Sequence, residues 1–170
     1  DFLFQSVGSK FTHYGGWDLL AYPIGYKAER IADPRDVKRL VIGSEVELRG
    51  WNLPHTDKEQ ASYFLNGFQS LTQWERYIEG YRANQSGLFV WKRLFFEDIE
   101  GRKDSKGRRV LEYVNLMWEM TEIFLFLKQY YGKVPDTEKV HFRFALNGTA
   151  NRSLMSLEPG INFLDGHVSK

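Results

Sequence analysis

From Lys139 to Leu146 apolar and polar residues alternate. Val140, Phe142, Phe144 and Leu146 fall on one side, His141 and Arg143 on the other, the period-two pattern of a half-exposed strand. Val110 to Tyr131 has the other period. Val110, Val114, Met117, Trp118, Thr121, Phe124 and Leu125 form one helical stripe, and Leu116, Met120, Ile123 and Leu127 widen it past an ordinary amphipathic face. The spacing predicts a helix of about six turns, stopped by Gly132 and Pro135. Leu88 to Phe96 is short and dense in apolar residues, as in a buried strand.

The remaining elements are predicted from caps and turns. Asp33-Pro34 opens a short helix that ends before Ile42-Gly43, with Asp33 as N-cap and Pro34 in the first helical position. Val41 to Trp51 reads as a strand closed by Pro54, and Ser62 to Leu71 as a second with a bulge at Gly67. Thr72-Gln73-Trp74-Glu75 has capping-box spacing. Trp74, Tyr77, Ile78 and Tyr81 follow at helical intervals, so a helix is expected from Thr72 to a Gly87 cap, with Glu75, Glu79 and Arg82 on its solvated side. Residues 1–32 are punctuated by Gly8, Gly15, Gly16, Pro23 and Gly25 and are expected to form an irregular covering segment.

The predicted fold class is α+β: a two-layer domain over residues 1–170, with an antiparallel or mixed sheet of about four strands packed by a long and a shorter helix. The long helix is apolar on more than one side. That surplus is expected to be covered by the N-terminal aromatic segment or, in a homodimer, by a second copy.

Composition narrows the class. The 42% hydrophobic and 26% charged content is that of a globular chain, and 16% aromatic content supplies a ring-rich core. No cysteine is present, so there are no disulfide staples. The net charge of +1 gives no global field for nucleic acid or membrane. No apolar window is long enough for a membrane span, and Asp1-Phe2-Leu3-Phe4 has no signal-peptide character, so a cytoplasmic location is expected. The chain starts at Asp1 rather than Met, which points to a fragment of a longer protein.

Candidate chemistry is sparse. No phosphate loop, dinucleotide fingerprint, His-Glu-x-x-His or Gly-x-Ser-x-Gly motif occurs, so no catalytic residue, metal site or cofactor is assigned. His55 and Asp57, two apart, are the one acid/base or metal-ligating pair that would serve a metal-dependent hydrolase or nuclease. A basic patch could form from Lys92, Arg93, Arg102, Lys103, Lys106, Arg108, Arg109 and Arg143, because sequence-independent phosphate contact needs several cations on one surface. The tract Gly101 to Arg109 supplies five of these cations against one acid, in what reads as an exposed, mobile loop.

One segment stands out by its order: Arg49-Gly50-Trp51-Asn52-Leu53-Pro54-His55, then Trp74-Glu75-Arg76-Tyr77, then Gln85-Ser86-Gly87-Leu88-Phe89. It resembles the region downstream of the Schlafen/Alba-type DNA-binding domain in some bacterial proteins. There an Arg-Gly-Trp-Asp-Phe-Pro-His segment precedes a Trp-rich helix and a Ser-Gly-Gln-Phe turn. Asn52 and Leu53 stand here for Asp and Phe, and Leu88 for Gln. The similarity spans about residues 40–150. It implies an accessory domain of a bacterial regulatory or defence-related protein, non-enzymatic, serving ligand sensing or assembly, and it brings no catalytic residues. Trp51 and His55 are the ligand-binding candidates: Trp51 is expected to be mostly buried, holding the end of the first strand against the core, and an exposed ring there would make it a ligand contact. The partners left open are a small ligand or nucleic acid.

Overall fold

A computed structural model describes residues 13–156. The class is α+β, and the main sheet is antiparallel throughout, with six strands rather than about four. The strands are β1 (Gly16–Pro23), β2 (Ser62–Phe64), β3 (Gly67–Trp74), β4 (Tyr77–Asn84), β5 (Phe89–Leu94) and β7 (Val140–Asn147), in the order β2-β3-β4-β5-β1-β7. Two three-residue strands, β6 (Val110–Glu112) and β8 (Ser153–Met155), pair in parallel beside it. Among the described residues the helices are α1 (Pro34–Ile42), a single turn α2 (Phe96–Ile99) and α3 (Tyr113–Tyr131). Among the described residues no helix is long and apolar enough to cross a membrane.

Four expected elements hold with small shifts. Asp33 accepts the Arg35 amide at 2.7 Å and caps α1, with Pro34 following it. The long helix begins at Tyr113, since Val110–Glu112 is drawn into β6 and the Glu112 carboxylate becomes its N-cap. The strands at 88–96 and 139–146 form as β5 and β7.

Four expectations fail. The single strand expected over Ser62–Leu71 with a bulge at Gly67 is instead two, β2 and β3, paired antiparallel across a tight turn at Leu65-Asn66, and Gly67 starts the second. The residues read as a helix from Thr72 onward form the β3–β4 hairpin, turned by Glu75-Arg76 between the paired Trp74 and Tyr77. Tyr77, Glu79, Tyr81 and Ala83 project to one face, while Ile78, Gly80 and Arg82 project to the other. The Trp74/Tyr77/Ile78/Tyr81 spacing matches a helix face only by coincidence, and Gly80 is where a helix would have been weakened. Thr72 caps nothing; it is buried in β3. Next, Val41 to Trp51 is no strand. Val41 and Ile42 are the last residues of α1, and Val46 alone bridges Leu53. Finally, part of the supposed irregular N-terminal segment is β1, a central strand between β5 and β7. Gly16 begins it because the chains approach closely there: a Cβ would lie 2.3 Å from the Arg93 carbonyl oxygen. The aromatic residues at 2, 4 and 11 lie outside the described residues; Trp17 does sit in the core.

The register places Trp17, Leu19 and Ala21 of β1 level with Arg93, Trp91 and Phe89 of β5, and these with Glu79, Tyr81 and Ala83 of β4. This face carries the core. Phe126 and Tyr130 of α3 meet the Phe89 ring at centroid separations of 4.8 and 5.7 Å, and Val37 and Val41 of α1 join the same cluster. One end of the apolar face is therefore polar, where Glu79 and Arg93 stand in the row after Tyr81 and Trp91. The opposite face holds a smaller cluster of Leu71, Ile78 and Leu94.

Candidate functional site

Residues 43–61 form a long connection between α1 and β2, folded back over the polar end of the core face. Two hydrogen bonds of 2.9 Å between Val46 and Leu53 pinch it, and both side chains are buried. Its second half is pinned to the sheet. The His55 amide donates to Glu79 Oε1 at 2.8 Å and the Asp57 amide to Ser70 Oγ at 3.0 Å. The Thr56 hydroxyl lies 2.8 Å from both Glu45 Oε1 and Tyr81 Oη. With its one hydrogen donated to Glu45, the Thr56 oxygen accepts the hydrogen bond of the Tyr81 hydroxyl. Asn52 Nδ2 holds the other oxygen of Glu45 at 2.7 Å. Burial raises the Glu45 pKa, against the pull of these two hydrogen bonds.

A cleft of about 530 Å³ opens between this connection and α1. Lys38, Glu45, Asn52, His55, Thr56 and Lys58 line it, with Ile42 and Ala61 as its apolar wall. The His55 ring stands edge-on to Trp74 at 4.8 Å, and Lys38 Nζ lies 5.3 Å from the centre of the Phe68 ring. The cleft thus offers two ammonium groups, an imidazole, an amide and a hydroxyl above a carboxylate already held by its neighbours.

Behind the cleft runs a buried charged network. Glu79 is 0% exposed; its Oε2 accepts the Tyr77 hydroxyl, and it stands across from Arg93 in the register. Arg93, 4% exposed, pairs with Glu119 at 3.2 Å and lies 4.4 Å over the Tyr77 ring. Asn115 Nδ2 donates to Glu119 at 2.9 Å, and Asn115 Oδ1 accepts from Arg49, whose Nε donates to Glu122 at 3.1 Å. Arg93 Nη1 and Glu119 Oε2 have no hydrogen-bond partner. Three carboxylates face two guanidiniums, and burial pushes the Glu79 and Glu119 pKa values up against the attraction of Arg93. The two ends of the Arg49–His55 segment are therefore tied to one network, Arg49 through α3 and His55 through β4.

Trp51 is not buried. It is 43% exposed at the tip of the connection, with the Arg49 guanidinium 5.4 Å from its ring. Trp51→Ala is accordingly expected to change the unfolding free energy, measured in urea, by no more than about 1 kcal/mol, the scale of a surface change. Asp57 does not pair with His55: its Oδ1 accepts the Glu59 and Gln60 amides at 2.8 and 3.1 Å and closes a turn. Among the described residues no group of three or more His, Asp or Glu could hold a metal ion.

The basic residues do not gather as one free surface. Arg93 is in the core. Lys92 points to the other face and pairs with Asp18 at 2.9 Å. Arg102 pairs with Glu100, Arg108 with Asp104 at 2.7 Å and Arg109 with Asp98 at 3.5 Å. The 102–109 loop, read as mobile, is wound on Asp104, which accepts the Ser153 hydroxyl, the Lys106 and Arg108 amides and Arg108 Nε. The Ser153 hydrogen bond leads the effects that hold this carboxyl far below its usual range. Lys103 bridges to Arg109, and Arg143 stands exposed on β7.

The burial of Glu79, Arg93, Glu119 and Glu122 was the part sequence reasoning missed. The available signal was an acid and a base inside strands otherwise built of buried residues. No protein-family model, curated protein or solved structure matches the chain.

Proposed function

We propose that this chain is a non-enzymatic ligand-sensing domain of a bacterial regulatory or defence-related protein, and that its ligand is a small polar molecule with an anionic group. The observation that carries the reading is the cleft beneath the Arg49–His55 segment, with Lys38, Lys58 and His55 around it. Its size is within the range of small-molecule sites. The connection that forms its wall is anchored by His55 and Arg49 to the Glu79–Arg93–Glu119–Glu122 network. A ligand that draws on Lys38 or His55 would load that network and, through it, α3, which is how a binding event could reach another part of a larger protein. The motif resemblance supports the bacterial regulatory setting, and it supplies neither a ligand nor a reaction.

The test is a thermal-shift survey with phosphate- and carboxylate-bearing metabolites, from inorganic phosphate to nucleoside monophosphates. A true ligand at a hundredfold excess over its Kd should stabilise the fold by about 2.7 kcal/mol. Lys38→Ala and Lys58→Ala should abolish the shift without unfolding the protein. A survey in which no compound separates the wild type from these variants would defeat the reading.

A further inference from the structure

The sheet ends at β7, whose outer edge has no strand partner among the described residues. The Ile24 amide donates to the Lys139 carbonyl at 2.9 Å, which sets the phase of the β1–β7 ladder. Residues 139, 141, 143, 145 and 147 direct their backbone groups to β1, and Val140, Phe142, Phe144 and Leu146 direct theirs outward. None of these four is proline, so the edge offers a full ladder. The same four residues share the core face of the sheet, opposite Pro23, Ala21, Leu19 and Trp17.

An apolar row flanks this edge. Phe124 of α3 touches Phe142 edge-on at 5.6 Å and lies 6.4 Å from Phe144. Met117, Met120 and Phe124 are 65%, 38% and 43% exposed, and Phe142 and Leu146 are 47% and 37% exposed. Together these side chains present on the order of 400 Å² of apolar surface on general side-chain sizes, a large patch for a monomer. With the edge backbone added, this is on the order of 500 Å² per partner, the size of a small interface rather than the roughly 800 Å² of a standard one.

We infer that β7 pairs with β7 of a second copy, antiparallel about a two-fold axis through Phe144. The sequence selects that register. Only pairings in which the two residue numbers add to an even sum bring outward backbone groups together and match apolar with apolar. Centring on Arg143 would set two guanidiniums directly opposite each other, which is destabilising. Centring on Phe142 uses only the first half of the strand and sets His141 against Arg143. Centring on Phe144 sets Phe142 against Leu146, Arg143 against Ala145 and His141 against Asn147. The two sheets become one, and both α3 helices lie on the same face, beside the axis. The interface is isologous, the commonest kind in homo-oligomers. It does not depend on the ligand-sensing reading.

Sedimentation of the full chain should give a dimer. Leu146→Pro removes an outward N–H and leaves the β1 ladder intact, and Phe142→Glu sets a charge in the apolar row. Each should weaken dimerisation at least tenfold while the circular dichroism spectrum stays native. The chain has no cysteine, so introduced thiols report register. The double variant Arg143→Cys, Ala145→Cys should give a disulfide-linked dimer on mild oxidation, and Arg143→Cys alone should not. A full chain that stays monomeric at 100 micromolar overturns the inference. So does a dimer untouched by Leu146→Pro and Phe142→Glu, or an Arg143→Cys dimer that forms readily. A monomer that dimerises only after residues 1–12 or 157–170 are removed overturns it too, by making that segment the occupant.

Discussion

Arg93→Met should destabilise the fold by about 3–5 kcal/mol, measured as the loss in urea unfolding free energy at pH 7. Methionine keeps most of the apolar volume, so a cavity is not the main cause. The loss comes from what remains. Glu119, 3.2 Å away, and Glu79, level in the register, would be buried carboxylates without a cation between them. Removing one partner of a buried pair costs far more than the intact pair contributes, because an uncompensated charge is left in a medium that solvates it poorly. A second variant separates this from simple misfolding. Arg93→Met combined with Glu79→Gln and Glu119→Gln removes the orphaned charge and should recover more than half of the loss. If Arg93→Met alone costs less than about 1 kcal/mol, water reaches the cluster and the network is not buried as described.

That network also marks where sequence reading stops. The helix caps and the alternation at 139–146 were legible because their signals are local: Asp33 precedes Pro34, and Val140 to Leu146 keeps one period. The Arg49–His55 segment could be singled out as unusual, but its partners are remote. His55 meets Glu79 and Arg49 meets Glu122 across 24 and 73 residues of chain. Strand register makes those meetings, and register here was hidden twice. The aromatic spacing of the β3–β4 hairpin imitated a helix, and the glycines flanking β1 imitated a loop. With β4 read as a helix, Glu79 looked like a solvated surface acid. With β1 unassigned, nothing indicated that β5 was central and that Arg93 would be enclosed. The cations of the 102–109 tract were visible, and their neutralisation by Asp104, Glu100 and Asp98 was visible only in part, since two of these acids lie outside the tract. Trp51 illustrates the opposite error: a tryptophan within a memorable motif invites burial, yet it crowns a turn and leaves the inside to Arg49.

Stability should also fall as pH rises from about 4.5 to 7, and Glu97 should account for a large part of that fall. Glu97 is buried in α2, where its Oε1 accepts the Glu112 amide at 3.0 Å. Burial, aided by the negative charges of Glu119 and Glu112, pushes its pKa from 4.5 up to about 7. The sign follows from linkage. Between these two values the unfolded chain has released the proton and the folded chain still holds it, so each step up in pH favours unfolding. The stability is fully present below about pH 4.5, declines through the folded pKa and is level above it. A displacement of this size corresponds to about 3 kcal/mol at most. Glu97→Gln keeps a carbonyl oxygen for the Glu112 amide and has nothing to ionise. It should match the wild type at pH 4.5 and exceed it by about 2–3 kcal/mol at pH 8. The raised carboxyls of Glu45, Glu79 and Glu119 carry the same sign, so the variant keeps a shallower slope. Urea midpoints at pH 4.5, 6 and 8 decide it. Two profiles that run parallel across this window would show that Glu97 is ionised as freely in the folded protein as in the unfolded one.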